Sequence, residues 1–252
     1  MTASIDLNAD LGETVDGVPT ADDESMFALI TSANVACGGH AGDDASIRAT
    51  ADRGARFGVT LGAHPSYPDP ANFGRHRMDV DGPALTRALT RQLRRFPELG
   101  VDVRYVKPHG ALYNEIVGDP DHADAVVAAV RDLAAELGHD VGLLVLGGQI
   151  ERRARAAGIP VVREAFLDRG YRPDGTLVPR REPGAVLHDV DEVAARAVRL
   201  AADGTVTAVD GSTVAVDAAS LCLHGDTAEA VAMAVAVRTA LAAAGVIVRT
   251  VW

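Results

Sequence analysis

Lys107 is the only lysine in a chain of 252 residues whose 24 Lys and Arg are otherwise all arginine, and it stands in Val106-Lys107-Pro108-His109-Gly110. A lysine ammonium is a compact charge that shifts its pKa and fits where a planar guanidinium does not, so a lone exception points to a position that needs an ammonium. Other reactive groups punctuate the chain: Asp10 with Glu13, His40, His64, Glu164 with Asp168 and Arg169, and His224 with Asp226. Carboxylates, imidazoles and ammonium groups supply general bases, proton carriers and anion clamps. The four tyrosines (Tyr67, Tyr105, Tyr113, Tyr171) and Asn8, Asn34 and Asn114 lie in or beside the same segments. One such residue is ordinarily a hydrogen-bonded packing group, but their repetition along the chain points to a shared polar pocket.

The spacing of these groups follows a strand-helix rhythm. Short runs rich in Val, Leu and Ala predict strands at Ile5 to Asp10, Asn34 to Cys37, Val59 to Ala63, Val103 to Lys107, Gly142 to Leu146, Pro160 to Glu164 and Ser220 to His224. Helical periodicity fills the gaps at Ala21 to Ser32, Asp44 to Phe57, Gly82 to Phe96, Pro120 to Leu137, Gln149 to Ala157, Val190 to Ala202 and Thr227 to Ala244. Thr205 to Asp217 reads as a hairpin about Asp210-Gly211, decorating the main sheet. Every reactive group named above falls at the C-terminal end of a strand; only the fifth strand ends blandly, in Gly147-Gly148-Gln149.

Alternating strands and helices imply a parallel sheet covered by helices. In Ile5-Asp6-Leu7-Asn8-Ala9-Asp10 the polar side chains share one face, whereas a strand covered on both faces reads apolar throughout. The expected fold is therefore α/β, a closed (β/α) barrel whose interior becomes polar at its C-terminal mouth. Two long connections, Pro65 to Asp81 and Leu167 to Pro183, rise on that side as candidate lids. They carry Arg75, Arg77, Arg169, Arg172, Arg180 and Arg181, which suits carboxylate or phosphate binding or, equally, surface ion pairing.

Composition bounds the function class. A formal net charge of -11 disfavours nucleic acid and anionic membranes as partners, and points to a small molecule or another protein. No linker divides the chain, so one domain over residues 1–252 is expected, with the residue 205–217 hairpin inserted. The N-terminus lacks a signal-peptide pattern and no long uncharged apolar window occurs, so the cytoplasm is the expected compartment. Cys37 and Cys222, each in an apolar run, read as reduced buried thiols.

Six segments together resemble the LamB/YcsF family, the A subunits of 5-oxoprolinase: Asp6-Leu7-Asn8-Ala9-Asp10-Leu11-Gly12-Glu13, Ala36-Cys37-Gly38-Gly39-His40-Ala41-Gly42-Asp43, Gly62-Ala63-His64-Pro65-Ser66-Tyr67-Pro68-Asp69, Val106-Lys107-Pro108-His109-Gly110-Ala111-Leu112-Tyr113-Asn114, Glu164-Ala165-Phe166-Leu167-Asp168-Arg169-Gly170-Tyr171 and Leu221-Cys222-Leu223-His224-Gly225-Asp226. One position departs from the family pattern: Gly39 stands where phenylalanine is common, which implies a wider pocket. The resemblance implies a distorted seven-stranded, TIM-like barrel related to metal-dependent sugar deacetylases. It also implies ATP-dependent opening of 5-oxo-L-proline to L-glutamate, performed with partner subunits B and C.

A lactam carbonyl is a poor electrophile, so coupling to ATP implies phosphorylation of the amide oxygen before water attacks. Lys107 and Arg169 are the candidates for binding substrate carboxylate and phosphate, Asp10 and Glu13 for activating water, and His109, Asp168 and His224 for carrying or orienting protons. Asn8, Tyr113, Asn114 and Tyr171 are candidate substrate contacts. The chain has no Gly-x-x-x-x-Gly-Lys-[Ser/Thr] loop, so ATP binds in another way or mainly through the partners. Asp10, His40 and His64 offer an alternative, a divalent-metal site that activates water as in the related deacetylases. A stand-alone metal-dependent deacetylase or amidase, and a noncatalytic lactam-binding protein, are the competing functions.

Overall fold

The computed structural model describes residues 3–252; Met1 and Thr2, the first residues of the segment read above for a signal peptide, lie outside them. Seven parallel strands close into a barrel: β1 (Ser4–Leu11), β2 (Ser32–Ala36), β3 (Thr60–His64), β4 (Tyr105–Val106), β5 (Gly142–Val145), β6 (Val161–Phe166) and β7 (Ser220–Cys222). Each pairs with the next in chain order, and β7 returns to β1 with Asp6 opposite Ser220 and Asn8 opposite Cys222. A short strand β8 (Ile247–Val248) adds to the start of β1. Helices α1 (Asp23–Phe27), α2 (Asp44–Phe57), α3 (Gly82–Glu98), α4 (Gly110–Gly118), α5 (Pro120–Leu137), α6 (Gln149–Ala156), α7 (Val190–Asp203) and α8 (Ala230–Ala243) connect the strands.

The alternation along β1 builds both sides of its wall. Ile5, Leu7, Ala9 and Leu11 join the hydrophobic layer beneath the helices. Asp6, Asn8 and Asp10 are buried on the opposite face, where they form successive rungs up the barrel. Asp6 accepts from Thr31 and Ser32 hydroxyls at 2.6 and 2.7 Å. Asn8 binds Ser220, and its amide oxygen accepts from Asn34, whose own oxygen accepts from the Tyr105 hydroxyl at 2.7 Å. Buried polar groups are tolerable because each rung partners the next.

The N-terminal end of the barrel is closed by the C-terminus. The Trp252 ring stacks on Tyr105 at 4.5 Å between centroids and 8° between planes. Two glycines make room: a Cβ on Gly142 would lie 2.3 Å from Trp252, and one on Gly62 would lie 2.3 Å from Tyr105.

Three expectations change. The first helix ends at Phe27 because Ser32 to Val35 pair in register with β1, and this strand pairing outweighs helical periodicity in the Ala21 to Ser32 segment. An additional helix, α4, follows His109 directly; its Leu112 and Ile116 pack as a short i, i+4 stripe too brief to stand out as periodicity. The hairpin Thr205–Thr207 with Thr213–Ala215 forms a sheet of its own rather than decorating the barrel sheet. It braces the second candidate lid, since Val209 N–H donates to the Tyr171 carbonyl at 2.9 Å.

Candidate active site

Lys107 lies at the C-terminal end of β4, inside the barrel rather than at its mouth, with only 2% of its surface exposed. Its Nζ is 3.1 Å from Asp10 Oδ1 and 3.2 Å from Glu164 Oε2, and it donates to Asn8 Oδ1 and Cys222 Sγ at 3.2 and 3.1 Å. Burial opposes its charge, but Asp10, the Cys222 sulfur and Glu164 outweigh burial and hold the ammonium well above the ordinary lysine range. Burial likewise opposes the Asp10 carboxylate, yet His64 and Lys107 hold it well below the usual range. Lys107 is thus satisfied by protein carboxylates rather than left free for a substrate anion. Asp10 and Glu164 hold it, while Glu13 pairs with His40 and Asp168 with His224.

Glu13, from the loop after β1, meets His40 and His109. Its Oε1 lies 2.9 Å from His40 Nε2 and 3.5 Å from His109 Nδ1. His64 Nε2 approaches His109 Nδ1 at 2.9 Å and Asp10 Oδ2 at 3.3 Å. The first candidate lid folds over this group, with Phe73 edge-on to His40 and His109 at 5.1 and 5.5 Å. Burial, followed by the neighbouring imidazoles, holds His109 well below the ordinary histidine range, and burial depresses His40, so both rings favour the neutral form.

His224, beyond β7, is the accessible member, its side chain 12% exposed. Its Nδ1 donates to Asp168 at 2.8 Å, and its Nε2 faces Asp10 Oδ2 at 3.9 Å. Burial raises the Asp168 pKa, but His224 outweighs burial and keeps the carboxylate ionised. The ring stacks on Phe166, which is also edge-on to Tyr113. Burial, followed by the adjacent Glu164 carboxylate, holds the Tyr113 hydroxyl well above the ordinary tyrosine range, and neither it nor Glu164 Oε1 has another partner among the described residues. At the rim, Arg75 and Arg180 share Asp226 at 3.0 and 3.8 Å.

Several candidates are not brought into this group. Arg169 is buried in the second lid, donating to the Ala185 and Val178 carbonyls at 3.0 and 2.6 Å, and burial lowers its pKa to about 10. The Tyr171 hydroxyl is spent on Phe166 N–H at 2.7 Å, pinning that lid to β6. Asn114 is exposed on α4 and bonds to the Gly110 carbonyl. Asn8 lies one rung below Asp10 and orients Lys107. Among the lid arginines, Arg77 and Arg172 make surface ion pairs with Glu115 and Glu182. Glu164 is a site residue that no assigned role anticipates, although it shares the β6 face with Phe166 and Asp168 by its spacing of two. Gly39 does not widen the pocket: a Cβ there would lie 2.2 Å from Gln92 Oε1 and 2.5 Å from Ser66 Oγ, so its side-chain direction is already filled.

The six motif segments thus meet at one end of one barrel, and over residues 5–252 the chain matches the LamB/YcsF family. The chain belongs to the LamB/YcsF family. Within it, the A subunit of 5-oxoprolinase from Streptomyces griseus subsp. griseus is 52% identical over 249 residues, covering 97% of this chain and 98% of that one. The corresponding 5-oxoprolinase chain of Cutibacterium acnes is 48% identical over 252 residues, 98% of each chain. The crystal structure of a lactam utilization protein from Thermus thermophilus superposes with a TM-score of 0.88 at 39% identity, covering 98% of this chain and 99% of that one. The LamB/YcsF membership and the closed seven-stranded barrel agree with the resemblance read from the sequence.

A divalent ion fits part of this family site, where His40 and His64 of the set expected from sequence meet Glu13 and His109, with Asp10 beside His64. Asp10 Oδ1 is engaged by Lys107 and Asn34, while its Oδ2 lies 3.3 Å from His64 Nε2. Glu13, His40, His64 and His109 present one donor atom each, all within 4.8 Å of one another. Separations of 2.9 to 3.5 Å between their nearest atoms suit donors sharing an ion with bonds of about 2.0–2.2 Å.

Proposed function

We propose that this chain is the A subunit of an ATP-dependent 5-oxoprolinase, opening 5-oxo-L-proline to L-glutamate together with partner subunits B and C. The observation that carries the chemistry is the His224–Asp168 pair at the barrel mouth. With Nδ1–H held by the Asp168 carboxylate, the Nε2 of the ring is directed toward the interior of the site, where it can take up a proton. The names borne by close relatives, a 5-oxoprolinase component and a lactam utilization protein, support the substrate class.

In this reading the amide oxygen is phosphorylated with the help of the partners, since the chain has no phosphate-binding glycine loop of the P-loop type. His224 Nε2 takes a proton from water as its oxygen bonds to the activated carbon, and the imidazolium then returns a proton to the ring nitrogen as the C–N bond breaks. A second water hydrolyses the resulting acyl phosphate to glutamate and inorganic phosphate. Arg75 and Arg180, paired with Asp226 at the rim but more exposed than Lys107 and Arg169, are the candidates to attract substrate carboxylate and phosphate. Lys107 holds Asp10 and Glu164 in place, and Tyr113 and Glu164 offer the lactam a hydroxyl and a carboxylate oxygen. An ion held by Glu13, His40, His64 and His109 would supply Lewis-acid polarisation of a carbonyl oxygen.

Stepwise reconstitution with the partners tests the reading. Glutamate release from 5-oxoproline should require ATP and both partners. The buried histidine cluster favours a second reading, a metal-dependent amidase acting alone. Hydrolysis by the isolated chain with a divalent metal and no ATP would establish it instead. Unchanged turnover of the reconstituted complex with Asp168→Asn and His224→Asn would reduce the chain to a lactam-binding role.

A further inference from the structure

We propose that Glu13, His40, His64 and His109, delivered by the C-terminal ends of four successive strands, form a centre for one divalent transition-metal ion. The inference deepens the site of the lactam reading but does not depend on it.

The tautomers of the buried rings are fixed by their outer partners. A backbone carbonyl only accepts, so His64 Nδ1, 2.7 Å from the Lys107 carbonyl, carries a proton. His109 Nε2, 3.0 Å from the Phe73 carbonyl, likewise carries one. The remaining nitrogens, His64 Nε2 and His109 Nδ1, face each other at 2.9 Å, and without a proton between them both present lone pairs. Two acceptors at that separation repel unless a cation binds both. Glu13 Oε1 and Asp10 Oδ2 add further lone pairs at 3.5 and 3.3 Å. His40 adds one more. Its Nε2 faces Glu13 and its buried Nδ1 has no partner among the described residues, so either neutral tautomer leaves a ring lone pair unclaimed by a donor.

Charge balance points the same way. Asp10, Glu13, Glu164 and Asp168 are all buried here, and among the described residues the only buried cations beside them are Lys107 and Arg169, of which Arg169 is turned into the lid. The outer arrangement is that of metal-binding histidines, whose second nitrogen donates to a carbonyl and so fixes the ring. His40 and His109 stack at 3.6 Å and 3°, a contact between neutral rings rather than between two imidazolium ions. Three imidazoles and one carboxylate suit zinc, cobalt(II) or ferrous iron better than magnesium or calcium, which favour all-oxygen sites.

The test strips the purified chain with chelator, then titrates Co2+ anaerobically while recording visible absorption, and Zn2+ by calorimetry. One ion per chain is expected, with Co2+ d–d bands, and roughly a 10-fold or greater loss of affinity in Glu13→Gln and in His109→Ala. Zn2+ should raise the melting temperature of the wild-type chain and of the surface control His139→Gln, but not that of either site variant. Circular dichroism checks that the variants are folded, and the isosteric Glu13→Gln serves if His109→Ala is not. Absence of saturable binding, or binding equal in wild type and both variants, overturns the proposal and leaves a shared proton between His64 and His109. Glutamate formation by the reconstituted complex is scored separately, so an active complex that binds no metal retires the centre and keeps the lactam reading.

Discussion

Lys107 illustrates how a residue's type and its role can diverge. A lone lysine at a strand end suggests an anion clamp, but its ammonium is enclosed by Asp10, Glu164 and Asn8. Removing one partner from a buried ion group leaves uncompensated charge, so Lys107→Met should cost about 3–5 kcal/mol in urea unfolding. Adding Glu164→Gln should recover part of that loss. The pH dependence has a definite sign. The folded pKa lies above the unfolded value of about 10.4, so this stabilisation is complete below that pH and disappears as pH rises through the folded value. The stability gap between wild type and Lys107→Met should therefore stay constant through neutral pH and narrow only in strong alkali. For the His224–Asp168 pair, Asp168→Asn should lower kcat of the reconstituted complex about 10²–10⁴-fold with little change in KM, and flatten the acid limb of its pH profile.

At the scale of elements, the second lid is fastened by residues whose types suggest substrate contacts. Arg169 holds two lid carbonyls, Arg196 donates to the Arg169 carbonyl, Tyr171 caps Phe166 N–H, and the tip of the residue 205–217 hairpin holds the Tyr171 carbonyl. Tyr171→Phe leaves the buried Phe166 N–H without its acceptor, which should cost about 1–3 kcal/mol. Limited proteolysis should then cut within residues 167–183 faster than in the wild-type chain. Because Phe166 stacks on His224, turnover should fall as well, and restoring the lid by lowering temperature should recover it.

For the whole molecule, the C-terminal residue closes the barrel end opposite the mouth. Trp252 is the chain's only tryptophan, so its fluorescence reports this closure directly. Gly142→Ala places a methyl 2.3 Å from the ring, and should expel it, red-shifting the emission. Trp252→Ala should cost about 3 kcal/mol, the low end for truncating a large packed aromatic, lowering the melting temperature by roughly 6–12 °C. A melting temperature unchanged by Trp252→Ala would show that the closure contributes nothing to stability.

The α/β class, the succession of strands and helices and the clustering of polar groups at strand ends were legible in the sequence because they rest on local periodicity. Polar residues alternate along β1 in steps of two, and the helices keep their apolar stripes. The same alternation placed Asp10, Lys107, Asp168 and His224 at one end of the barrel. Pairing across the barrel was not legible, because it depends on register and closure between residues far apart in the chain. Glu164 reaches Lys107 only once β6 curves round toward β4. Likewise Glu13 joins His40 and His109 because the loop after β1 turns its side chain toward the ends of β2 and β4. The sequence by itself determined which residue types converge on the mouth, since strand parity is a property of the local chain. The tertiary structure alone decided which charges neutralise one another and which lone pairs are left facing, because those are set by distances of a few ångströms between separate strands.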